Sequence, residues 1–177
     1  MKVYGVTGMP LAGKTTVANI LAEKDFQKID MGDVVRKERE KRNIPVEKTG
    51  EFVNNQREKY GMNAIAKLTV PYIRETKKEK VVITGMRGIE EKKYFENELE
   101  AQLKTIAVWT SPRIRKERRE NRNRKEDLKG QEFHKRDERE LENGVGKLMA
   151  LSDHIIVNEN ISMQKLEQEV ESTIEVD

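Results

Sequence analysis

Apolar residues along this chain fall into short runs separated by stretches of helical spacing. "KVYGVTG" (2–8) reads as a first strand, after which Val17, Ile20 and Leu21 recur at helical intervals through about Lys24. "FQKID" (26–30) predicts a second, weaker strand. From Asp33 to about Lys78 the pattern is helical, broken near Asn43-Ile44-Pro45 and at Gly61. "KVVITG" (80–85) has the form of a buried strand, with a helix over about Ile89–Leu103 behind it. "TIAVWT" (105–110) predicts the fourth strand, with Trp109 in its packing, and Ser111-Pro112 supplies a helix cap and a first-turn proline. A helix over Gln131–Leu151 carries Leu141, Val145 and Leu148 on one face, and "HIIVN" (154–158) is a fifth strand. The last helix opens at Ser162, with Ile161 and Leu166 spaced as a hydrophobic staple, and runs through Val170 and Ile174. Five strands alternating with helices predict an α/β fold, a five-stranded parallel sheet with helices on both faces. No repeat, low-complexity segment or linker interrupts residues 1–177, so they read as a single domain.

Charge changes this picture little. Charged residues make up 38% of the chain and apolar ones 35%, but the charges nearly cancel, to +3. Disordered chains lack the regular apolar spacing seen here, and balanced charge suits a surface laced with ion pairs, as in heat-adapted proteins. There is no cysteine, which excludes disulfides and thiolate metal sites, and His134 and His154 are a poor metal pair. No apolar run approaches a membrane span, and Met1-Lys2 leads straight into a strand, so the cytoplasm is the expected location.

The chemistry begins at Gly8-Met9-Pro10-Leu11-Ala12-Gly13-Lys14-Thr15, a full match to G-x-x-x-x-G-K-[ST] between a buried strand and an amphipathic helix. Glycines there let backbone N–H groups turn in around phosphate oxygens, and the helix adds its positive end. Lys14 reaches the β- and γ-phosphates, Thr15 offers its hydroxyl to Mg²⁺, and Thr16 extends the nucleotide cradle. Two further segments, "MGDVVR" (31–36) and "TGMRG" (84–88), follow the second and third strands. In a parallel sheet those ends open on the same edge as the phosphate loop, so Arg36 and Arg87 can converge on a second anion.

At these residues the chain resembles the adenylate-kinase-like nucleoside monophosphate kinases. "GDVVR" resembles their Gly-Asp-x-x-Arg segment, and "GMR" their Asp-Gly-x-x-Arg segment with one residue fewer. Over its whole length the chain is most similar to an archaeal branch of adenylate-kinase-related proteins, which also resembles dephospho-CoA kinases. The resemblance implies a P-loop NTPase fold in which Arg36 and Arg87 hold the acceptor phosphate and residues of about 31–78 form the acceptor-binding helices. It also marks a departure: the relatives carry an acid where this chain has Thr84, which leaves two alternatives, that Asp30 or Asp33 compensates for the charge or that metal use is weaker.

From Arg113 to Lys125, eight of thirteen residues are Lys or Arg. After strand four this fold commonly builds a lid over the donor, and "RKERRENR" resembles a lid-entry pattern. The likeness implies a short arginine-rich lid over about 122–138, with Arg119 and Arg122 near adenine and phosphate and Arg136, with Arg139, on its far side. Two other readings fit the same residues. Glu117, Glu120 and Glu126 could make this a solvated, ion-paired face. The patch could also bind a nucleic-acid backbone, although only Phe133 is nearby for stacking. "SDHIIVNEN" (152–160) resembles the strand and loop bordering the adenine, with Asn158 fixing the loop. Tyr60, at "YGMNAIAKL" (60–68), reads as core, and His134 as lid surface.

The expected activity is transfer of the γ-phosphoryl group of ATP, with Mg²⁺, to a small AMP-like acceptor, with Lys14, Arg87, Arg119, Arg136 and Asp33 carrying the chemistry. An acceptor with a ribose hydroxyl, as in dephospho-CoA, would need Asp33 or Asp30 as a base. A nucleotide-binding regulator or nucleic-acid-associated NTPase is the alternative from another class. The sequence leaves the oligomeric state open.

Overall fold

Side-chain alternation along the first strand divides the molecule into two cores. In the computed structural model, which describes residues 1–121 and 130–175, β1 (Lys2–Thr7) directs Val3 into one apolar cluster and Tyr4 and Val6 into the other. The other strands are β2 (Gln27–Asp30), β3 (Lys80–Thr84), β4 (Leu103–Trp109) and β5 (His154–Val157). All pairings are parallel, in the order β2-β3-β1-β4-β5. The helices are α1 (Lys14–Glu23), α2 (Met31–Lys41), α3 (Thr49–Tyr60), α4 (Ala64–Glu75), α5 (Ile89–Leu99), α6 (Pro112–Glu120), α7 (Gly130–Glu142), α8 (Val145–Ala150) and α9 (Met163–Glu175). α1 and α9 close one face around Leu21, Val82 and Val170, whereas α2 to α5 and α8 close the other around Ile65, Phe95 and Leu148. Because β1 lies between β3 and β4, the connections diverge at its C-terminal end and open a crevice there.

Four expectations need correction. The helix after β3 ends at Leu99, where Glu100 turns left-handed, and Leu103 already belongs to β4. Residues 131–151 form two helices, not one. Gly144 separates them with φ +98°, and an added Cβ there would stand 3.2 Å from the Arg87 carbonyl oxygen. α7 therefore ends where it meets the β3–α5 loop, and Leu141 is left exposed while Val145 and Leu148 are buried. Trp109 and Tyr60 are surface residues. Trp109 pairs in register with Val157 on edge strand β5, and both are exposed, whereas Tyr60 ends α3 in solvent.

A partly exposed carboxylate ties β4 to the turn before β5. Asp153 accepts hydrogen bonds from the Thr105 N–H (2.7 Å), the Thr105 hydroxyl (2.6 Å) and Lys92 Nζ (3.2 Å). Burial alone would raise its carboxyl, but the Thr105 and Lys92 bonds outweigh that and lower it to about 2. A carboxyl depressed on folding stabilises the native state above its ordinary pKa, and that contribution is lost as the pH falls towards the folded value. Asp153→Asn is therefore expected to cost about 1–3 kcal/mol near neutrality. Urea unfolding at stepped pH should show the gap to wild type closing between about pH 4 and pH 2.

Candidate active site

The phosphate loop is shaped by backbone that side chains would obstruct. Gly8 leaves β1 with φ +147°, and a Cβ there would lie 2.4 Å from the Val108 carbonyl oxygen of β4. The obstacle is sheet backbone and cannot retreat. Gly8→Ala is expected to cost about 3 kcal/mol or more, from strain and overpacking together, read as a lowered urea midpoint with loss of nucleotide binding. Lys14, the first residue of α1, folds across the loop and donates to the Gly8 and Met9 carbonyls at 2.8 and 2.9 Å. Burial pushes its ammonium down to about 8; Glu140 acts against that, and Arg87, Arg136 and Arg115 add to it.

Two cavities meet at this lysine. A cleft of about 420 Å³ is lined by Leu11, Gly13, Lys14, Thr15, Thr16, Arg118, Asn158 and Leu166, among others. Its size falls within the range of small-ligand sites. A second cavity of about 160 Å³ is lined by Gly8, Pro10, Lys14, Thr15, Asp30, Gly32, Thr84, Arg87, Arg136 and Glu140, among others. It has room for a reacting group but not for a whole nucleotide. Lys14 and Thr15 line both.

An acid of β2 stands beside Thr84 of β3. Asp30 and Thr84 are register partners, and Thr84 Oγ1 donates to Asp30 Oδ2 at 2.7 Å. Asp30 Oδ1 also caps α2 by accepting from the Asp33 N–H at 3.0 Å. Asp33 itself is exposed, pairs with Arg36, and does not line the cavity, so of the two candidate acids the fold places Asp30 beside Lys14. Thr15 and Asp30 offer a hydroxyl and a carboxylate, a donor set that suits Mg²⁺ completed by phosphate oxygens.

Arg87 is held rigidly. Glu91, in the first turn of α5, accepts from the N–H groups of Arg87 (2.6 Å) and Gly88 (3.4 Å), fixing the loop, and burial pushes its carboxyl up. The Arg87 side chain pairs with Glu140 of α7, Nε at 2.6 Å and Nη2 at 3.2 Å. Arg36 is not a lining residue; its guanidinium lies beside Gly32, which is, about 3.5 Å from where a Cβ would stand.

In the larger cleft, Asn158 is buried and its Nδ2 donates to the Ala12 carbonyl at 2.9 Å. The arginine facing the cleft is Arg118, whose guanidinium reaches the carbonyls of Leu11 (3.2 Å), Ala12 (3.1 Å) and Asn158 (2.8 Å). Its neighbour Arg119 is not a lining residue, and Arg122, with residues 122–129 of the expected lid, lies outside the described residues. Arg115 is almost fully buried. It grips Asp137 of α7 at 2.8 and 2.6 Å and donates to the carbonyls of Pro10 and Thr110, both at 3.2 Å. Helical phase carried the signal for both missed arginines. Ile114 is the lone apolar residue of α6, and Arg115 and Arg118 flank it on the inward face. Phe133 is buried against the Arg115 guanidinium, 5.1 Å away, and so is not an exposed stacking platform for a base. His134 is exposed.

A parallel sheet in this order, a phosphate loop at its switch point and a cationic cavity beside it define the P-loop kinase-like class of nucleotide-binding proteins. The profile of the AAA domain family matches residues 7–135. The chain belongs to the UPF0200 family: it is 39% identical over 163 residues to the UPF0200 protein of Thermococcus sibiricus, across 88% of this chain and 85% of that one. Among solved structures, the shikimate kinase of Bacteroides thetaiotaomicron shares the fold with a TM-score of 0.65 at 17% identity, covering 99% of this chain and 97% of that one. A gluconokinase from Sinorhizobium meliloti does so with a TM-score of 0.60 at 12% identity, covering 99% and 92%. Among the described residues no helix is long and apolar enough to cross a membrane.

Proposed function

We propose that this protein transfers the γ-phosphoryl group of ATP to a small acceptor, with an AMP-like monophosphate bound through Arg87. The observation that carries the reading is the sharing of Lys14 and Thr15 by two cavities, which lets a γ-phosphate on the loop face the acceptor space directly. The acceptor oxygen attacks the γ-phosphorus in line, and the bond to the β,γ-bridging oxygen breaks with its electron pair leaving on ADP. Lys14 and Arg136 stabilise charge on the moving group, Arg87 orients the acceptor anion, and Arg36 meets it at the rim. Arg118 and Asn158 hold the donor side. Thr15 and Asp30 would hold Mg²⁺, which when bound neutralises charge on the β- and γ-oxygens.

Asp30 also supports a second reading. If the acceptor is a hydroxyl, its proton passes to the Asp30 carboxylate as the oxygen attacks. The shikimate kinase and the gluconokinase among the fold neighbours lend this reading weight by analogy alone. An ATP-consumption screen with nucleoside monophosphates, dephospho-CoA and hydroxy acids, with products identified by phosphorus NMR, tests both. Acceptor-dependent ADP formation with AMP is the expected result. Hydrolysis indifferent to every acceptor, with steeply salt-dependent RNA binding, would instead point to a nucleic-acid-associated NTPase.

A further inference from the structure

Lys14, Arg87 and Arg136 bring three cationic side chains to the transfer cavity. α7 inserts the balancing charge. Glu140 lines the cavity and is mostly buried, and its carboxylate is the anion on Arg87. The geometry also spares the ligand-binding edge of that arginine. Of the five guanidinium N–H groups, Glu140 takes those on Nε and one on Nη2, and the Gly85 carbonyl accepts one from Nη1 at 3.3 Å. One N–H on each terminal nitrogen is left for an anion in the cavity that Arg87 lines.

We infer that Glu140 is the positioning residue of this site: it fixes the Arg87 fork for an acceptor anion. The inference rests on the proposed transfer reading. A guanidinium gripped at two nitrogens by one carboxylate is oriented before the ligand arrives, so its remaining N–H groups meet an anion in the cavity with little further loss of side-chain freedom.

The experiment is calorimetric titration of the full chain with AMP and inorganic phosphate, and separately with ADP, for wild type, Glu140→Gln and Glu140→Asp. The Gln variant should bind AMP and phosphate about tenfold or more weakly, the loss of one charge-assisted pair. The Asp variant, which keeps the charge but shortens the reach, should recover part of that affinity. Thermal melting confirms that each variant is folded, and the Asp variant carries the test if the Gln variant is not. Unchanged AMP and phosphate affinity in folded Glu140→Gln overturns the inference, and tighter binding does so by making Glu140 a competitor of the ligand. Wild-type protein that binds ADP but neither AMP nor phosphate would instead sink the monophosphate reading, a result read before any variant is compared.

Discussion

Replacing Arg115 by methionine is expected to destabilise the protein by about 3–5 kcal/mol, the cost of breaking a buried ion pair from one side. The guanidinium has a side-chain exposure of 3% and Asp137 of 16%, so truncation strands a carboxylate that water barely reaches. The same change strips a donor from the Pro10 carbonyl of the phosphate loop and another from Thr110 at the end of β4. It also removes the cation over the Phe133 ring. Arg115 thus joins phosphate loop, sheet and α7, and its loss should weaken ATP binding together with stability. Urea unfolding measures the first effect and calorimetry the second. The double change Arg115→Met with Asp137→Leu should recover much of the stability, because it removes both charges together, but not the ATP affinity, because Pro10 stays unpaired. A cost below about 1 kcal/mol for the single change would class the pair with ordinary surface ion pairs and remove it as a latch.

That latch shows where sequence reasoning reached and where it stopped. The strands and the phosphate loop were legible because their signals are local: apolar runs of strand length and a loop motif in the right flanks. The meeting of Asp30 with Thr84 was half legible, since the missing acid pointed to the neighbouring strand end, but only the register of β2 on β3 chooses Asp30 over Asp33. Arg115 and Arg118 were legible only in the helical phase about Ile114, whereas motif likeness points to their neighbour Arg119. Glu140 and Asp137 left no trace at all. A carboxylate on an exposed-looking charged helix reads as solvated, and its partners lie 53 and 22 residues away in the chain. The division of α7 from α8 was hidden for the same reason, since Gly144 is required by the approach of the Arg87 carbonyl and not by its sequence neighbours.

Asp30→Asn is expected to lower turnover by about a hundredfold or more while leaving the fold intact, and the pattern of that loss identifies the acceptor class. Asparagine caps helices as well as aspartate does, so its amide oxygen can still accept from the Asp33 N–H at the start of α2. Its amide nitrogen faces Thr84, whose hydroxyl can accept where it formerly donated. Both local bonds survive and only the negative charge is lost. If that charge holds Mg²⁺ through the Thr15–Asp30 donor set, raising the Mg²⁺ concentration should restore much of the rate with a monophosphate acceptor. If it instead takes a proton from a hydroxyl acceptor, no Mg²⁺ concentration restores it, because the variant lacks the base. Asp33→Asn is the control: its side chain is 59% exposed and pairs with the exposed Arg36, so turnover should stay within about threefold of wild type. Turnover by Asp30→Asn within that same range on every acceptor would remove Asp30 from the chemistry and leave the acid between β2 and β3 as a helix cap alone.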